Sequence, residues 1–91
     1  MIIEANLDSG FVTGIVERLN NLKNVLNDYV IVVSKGEDAT FYFDLGRVSR
    51  ILFFRDGMEI IGVDSNTAYV LFDEVVSLSV LTKSSLEGFK D

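Results

Sequence analysis

The chain has 91 residues, a formal net charge of −6, 48% hydrophobic and 24% charged residues, and no histidine, cysteine, proline or tryptophan. Lacking His and Cys, it has no usual neutral-pH general base, thiol nucleophile, or Zn or Fe–S ligand. Its acidic balance disfavours phosphate backbones, whose binding rests on Lys and Arg.

A positive mean hydropathy of +0.32 argues against disorder. A chain this short builds one core and buries only about 60–65% of its unfolded surface. The expectation is a single soluble α+β domain over residues 1–91, with one helix followed by strands.

Residues 1–10 open with the apolar run Met1-Ile2-Ile3 and read as an N-terminal arm or an edge strand. They lack the basic start and long apolar core of a signal peptide. No stretch reaches the roughly 18 uninterrupted apolar residues of a membrane span. The expected location is the cytoplasm, for a cellular protein or for one from a virus that replicates there.

Asp8 or Ser9 can cap the helix that follows, accepting from first-turn N–H groups that have no other partner. Over residues 11–28, Phe11, Ile15, Leu19, Leu22 and Leu26 recur at helical spacing, widened by Val12, Val16 and Val25. That stripe predicts an amphipathic helix laid on a sheet, ended by Asn27-Asp28.

Residues 29–82 predict an antiparallel meander of about six strands. Tyr29 to Ser34 is apolar on both faces, as in a central strand or one at a barrel seam, and Lys35 to Asp38 loops to the strand Ala39 to Asp44, with Ser34 facing Ala39. Tight turns follow at Leu45-Gly46, with an Asp44–Arg47 ion pair across it, and at Asp56-Gly57, Ser65-Asn66 and Asp73-Glu74. Asp56-Gly57 is the strongest of these, because Asp and Gly tolerate the positive φ of a type I′ turn. Residues 83–91 lose all periodicity and read as a polar tail in which Leu86 and Phe89 can dock locally, or as a short helix begun by Ser84-Ser85.

Side chains alternate across a sheet. These pairings put Ile51, Phe53, Ile60, Tyr69, Leu71, Val76, Leu78 and Val80 on one face. Leu52, Phe54, Ile61, Val63, Val70 and Phe72 fall on the other. Near Ser49-Arg50 the alternation is awkward, which calls for a β-bulge or for a strongly curved sheet, even a small partly closed barrel. The curved sheet is the reading preferred here.

The second face is the first candidate site. One helix covers one face, and leaving six apolar side chains in water forgoes on the order of 10 kcal/mol. Leu52, Phe54, Ile61, Val63, Val70 and Phe72 are therefore expected either to close internally through curvature or to meet a partner.

The second candidate is an acidic rim, Glu37, Asp38, Asp56, Asp73 and Glu74, at one end of the meander. It suits a Ca²⁺ or Mg²⁺ ion or a basic partner, although Asp also simply favours turns. The third is Arg47, Arg50 and Arg55 interleaved with Phe41, Tyr42, Phe53 and Phe54, a miniature of a single-strand stacking platform.

No phosphate loop, metal-ligand spacing or activated nucleophile is present, so neither a cofactor nor a metal is expected, nor an enzyme. The expected function is a non-enzymatic interaction or assembly module. Its partner is itself, as a homodimer or higher oligomer, or another protein, without membrane or nucleic acid. The alternatives are a small acidic inhibitor of the viral-accessory type that blocks a basic nucleic-acid site, and an oligonucleotide-binding β-barrel.

Overall fold

A computed structural model describes residues 1–5, 10–36 and 39–86, with residues 10–12 described by backbone alone. The order of elements is β1 (Ile2–Ala5), α1 (Gly10–Asn21), β2 (Tyr29–Ser34), β3 (Thr40–Asp44), β4 (Val48–Phe53), β5 (Gly57–Gly62), β6 (Thr67–Leu71) and β7 (Ser77–Thr82).

The expected mixture of one helix with antiparallel strands is present, but three features differ. β1 precedes the helix, so the helix is not the N-terminal element. The strands form two sheets rather than one meander: β1-β4-β5-β6 and β3-β2-β7. Neither sheet closes into a barrel.

The break into two sheets occurs at two corners that read as hairpin turns in the sequence. Leu45–Arg47 and Phe72–Glu74 are each a single 3-10 turn. At the first, the Asp44 carboxylate accepts from the Gly46 N–H at 2.8 Å, and Leu45 is driven into the core beside Leu26. At the second, Phe72 packs against the core. A two-residue hairpin would have left both side chains at the surface, so burial favours the corner. Asp44 and Arg47 do approach, at 4.0 Å, but around this corner and not across a ladder.

The helix stripe is confirmed in Ile15, Val16, Leu19 and Leu22, all against the core. The helix stops earlier than residue 28. Leu22 N–H still reaches the Arg18 carbonyl, and beyond it the bonds tighten to three-residue spacing, with the N–H groups of Lys23, Val25 and Asp28 donating to the carbonyls of Asn20, Leu22 and Val25. The asparagines at 20, 21, 24 and 27 are weak helix formers whose side chains compete for the backbone. α1 packs against β1 and β7, the edges of the two sheets on one side of the molecule. From there Arg18 donates through Nε and Nη2 to the Val80 carbonyl at 3.2 and 3.1 Å, which occupies an acceptor on the outer edge of β7.

Register decides what each face carries. β4 and β5 pair as Ile51 with Ile60 and Phe53 with Met58. That is two residues from the expected register and so leaves the faces unchanged. The turn is Arg55-Asp56, closed by the Phe54 N–H on the Gly57 carbonyl at 2.7 Å. Among the described residues only Ser65 and Gly36 have positive φ, so Gly57 is not serving a type I′ turn. A Cβ on Gly57 would collide with the Val70 carbonyl oxygen and press on the Tyr69 ring, so the glycine is there for close packing.

Two other registers slip by odd numbers and reverse a face. Ser34 pairs with Thr40, not Ala39, which packs Phe43 against the core beside Ile31 and sets Phe41 opposite Val33, still 47% exposed and under Lys35 Nζ. Val70 pairs with Met58, not Ile61. The awkward alternation near Ser49 is resolved by the bulge, between Val48 and Arg50. Ser49 Oγ hydrogen-bonds there to the carbonyls of Ile61 and Gly62.

The core lies between the sheets. Ile31, Val33 and Val80 face Ile51, Phe53, Met58, Ile60 and Val70, with Leu19, Leu26, Leu45 and Val48 around them. Among the described residues no helix is long and apolar enough to cross a membrane.

Candidate functional site

The residues expected to share one partner-facing surface are divided by the fold. Leu52 and Ile61 do lie on the outer face of the β1-β4-β5-β6 sheet, half-buried. Phe54 follows β4 and is 40% exposed, and Val63, in the β5–β6 loop, is 68% exposed. Val70 is a correction: only 3% exposed, it belongs to the core. Phe72 is half-buried at the corner, packed against the core.

The reversal has a local cause. The β5–β6 loop is Val63-Asp64-Ser65, with Gly62 N–H bonded to the Asn66 carbonyl at 2.8 Å and Ser65 at φ 71°. A three-residue loop ending in a left-handed residue is a common hairpin closure. Asp64 stabilises it by accepting from the Asn66 backbone N–H at 3.0 Å and from Asn66 Nδ2 at 2.8 Å. The Asp-Ser-Asn triplet was the signal for this loop, since such residues make Asx turns and tolerate positive φ.

The reversed β6 places Tyr69 and Leu71 outward, 47% and 41% exposed. The alternation read from the sequence alone puts both on the covered face. The Tyr69 ring stacks on Phe54, centroids 6.1 Å apart. Its hydroxyl donates to Asp56 Oδ1 at 3.3 Å. Lost hydration, then the Asp56 carboxylate by charge and hydrogen bond, then Glu59, push the phenol above its ordinary value of 10.0. Tyr69 therefore stays a neutral donor at physiological pH.

The edge of β6 is as informative as its face. Gly62 bonds Asn66, and Phe72 N–H bonds the Asp56 carbonyl. Strand alternation then turns the backbone groups of residues 66, 68, 70 and 72 toward β5, and those of Thr67, Tyr69 and Leu71 away from it. Among the described residues no strand pairs with that edge. Exposed edges invite pairing, and proteins usually guard them with charge, proline, bulges or a covering element. β7 has Arg18 on its edge and β1 has the helix, whereas β3 has no strand on its outer edge and carries a single charge, Asp44, at its end, where it pairs across β2 with Lys83 at 2.7 Å. The β6 sequence, Thr-Ala-Tyr-Val-Leu, carries none of these devices.

Beside β6 a groove of about 260 Å³ opens toward β3. Phe43, Val48, Ile60 and Ala68 make its apolar wall, and Asp44, Asp64 and Arg47 also line it. Asp44 is held as a carboxylate. Burial works against its charge, but Lys83, the Gly46 N–H and Arg47 outweigh burial and keep it below its ordinary value of 3.8.

The acidic rim is brought together only in part. Glu37 and Asp38 lie outside the described residues. Asp56 accepts from Tyr69, and Glu74 pairs with Lys35 at 3.2 Å, which leaves Asp73 exposed beside them. Among the described residues no group of three or more carboxylates is placed to hold a metal ion. Of the arginine–aromatic interleave, Phe53 is in the core and Arg50 pairs with Glu4 at 3.0 Å. It therefore does not form one stacking platform.

In comparisons with family models, curated proteins and solved structures, none matches this chain.

Proposed function

We propose that the chain is a non-enzymatic protein-binding module whose contact surface is the β6 side of the first sheet: Phe54, Tyr69 and Leu71, with Leu52 and Ile61 behind them. The observation that carries this reading is the coincidence of an unguarded strand edge with an exposed apolar cluster on the same strand. Each alone is ordinary, since single exposed apolar residues are common. Together they leave backbone donors, backbone acceptors and large apolar side chains in water at one place, and a partner relieves both.

A photoreactive phenylalanine analogue placed in turn at 54, 71 and 84 tests the surface in cells of the source organism. Positions 54 and 71 should yield discrete protein adducts. Position 84, exposed beyond the far end of β7, should not. Adduct mass separates a second copy from a different protein. Equal adducts from all three positions, or none from 54 and 71, would remove the reading.

A further inference from the structure

The geometry points to the form that partner takes: an extended segment of another protein, carrying Lys or Arg around alternating apolar residues, added as a strand on the edge of β6. This rests on the binding surface proposed above and names its occupant.

Hydrogen bonding sets the position. Thr67, Tyr69 and Leu71 present N–H and C=O outward at every second residue, which matches the spacing of one added strand. Side chains of that strand alternate between two environments. On the outer side they meet the stacked Phe54–Tyr69 pair. On the inner side they meet the groove next to Ala68, where the small side chain leaves the apolar wall of Val48, Ile60 and Phe43 accessible. An apolar side chain of medium size fits that volume. Backbone bonds supply affinity, and the groove supplies selectivity.

Charge decides between another protein and a second copy. Carboxylates surround β6: Asp64 at its start, Glu59 beside Tyr69 on the neighbouring strand, and Asp56 and Asp73 beyond its end. Of the nearby cations, Lys35 is paired with Glu74, Arg47 in the groove lining lies 4.0 Å from Asp44, and Arg55 sits in the turn beside Asp56, so the carboxylates remain in excess. A second copy would bring the same carboxylates, and a net charge of −6, against themselves. A basic strand meets complementary charge.

The test uses a synthetic peptide alternating Val and Lys, an acidic counterpart alternating Val and Glu, and amide-resolved NMR of the full chain. The basic peptide should bind saturably and slow amide exchange at Thr67, Tyr69 and Leu71 by about tenfold or more. The acidic peptide should not bind. Tyr69→Pro removes one outward N–H without touching the bonds to β5, and Tyr69→Val keeps it. Affinity for the basic peptide should fall about tenfold between these two variants. Ala68→Leu fills the groove and should weaken binding similarly. If Tyr69→Pro fails to fold, Ala68→Leu carries the comparison alone.

No binding, equal binding of the acidic peptide, or binding without protection of the three amides would overturn the strand. So would protection already present in the free chain together with a dimer by light scattering, since a second copy would then hold the edge. Crosslinks from positions 54 and 71 that persist when the peptide fails would leave the binding surface standing and remove only its strand-like occupant.

Discussion

The ring of Tyr69 lies on that of Phe54 with 29° between their planes, which joins the middle of β6 to the turn that ends β4. The hydroxyl of Tyr69 reaches the Asp56 carboxylate in the same turn. Ultraviolet titration should therefore show one tyrosine ionising above its ordinary value of 10.0. Asp56→Asn should bring that transition down, because it removes both the charge and the charged acceptor. A transition indifferent to Asp56 would place the hydroxyl elsewhere.

Val70 and Leu71 are neighbours in sequence on opposite faces of β6. Val70→Ala should destabilise by about 2 kcal/mol, in the range for a buried large-to-small change. Leu71→Glu should stay within about 0.5 kcal/mol, as is usual for surface sites. Urea denaturation of the two variants checks the register, since a slip of one residue would exchange their effects.

Gly57 is predicted to resist substitution through packing, not through backbone conformation. Gly57→Ala forces a methyl group against the Val70 carbonyl and the Tyr69 ring. The expected loss is about 1–3 kcal/mol, the range for overpacking. If Gly57→Ala were as stable as the parent, β5 and β6 would have to lie further apart than they do here.

Acid stability should carry a contribution from Asp44. Its folded value is depressed below 3.8 by Lys83, the Gly46 N–H and Arg47 despite opposition from burial. The contribution is therefore present above the unfolded value and is lost as pH falls through the folded one. Asp44→Ala should lower stability near neutral pH by about 1 kcal/mol, typical of a lost cap. It should also flatten the pH dependence below about pH 4. Chemical denaturation at pH 7 and pH 3 measures both effects, and parallel pH profiles for parent and variant would count against the role given to Asp44.

Removing Arg18 should expose the second sheet edge. Arg18→Ala leaves the Val80 carbonyl without its guanidinium donor. It should cost about 1 kcal/mol and increase concentration-dependent association through β7. Light scattering against concentration reads this directly, and an unchanged profile would mean that the helix alone shields the edge.

What the sequence determined by itself was local. Helical spacing identified Ile15, Val16, Leu19 and Leu22 as the face turned to the core. Continuous apolarity marked β2 as the central strand of its sheet. Alternation put Ile51, Phe53 and Ile60 on one side, and an error of two residues in their pairing changed nothing. Tertiary structure decided the rest. A one-residue difference in the β5–β6 loop turned Val70 inward and Tyr69 and Leu71 outward, because a period of two reverses every side chain at each odd slip. The two corners depend on burying Leu45 and Phe72 against residues far along the chain, and no local propensity separates such a corner from a hairpin. β1 pairs in parallel with β4, a partner that short-range pattern does not encode. The candidate site follows from these decisions. Its side chains are legible in the sequence, but their gathering on an unguarded edge is a property of the fold.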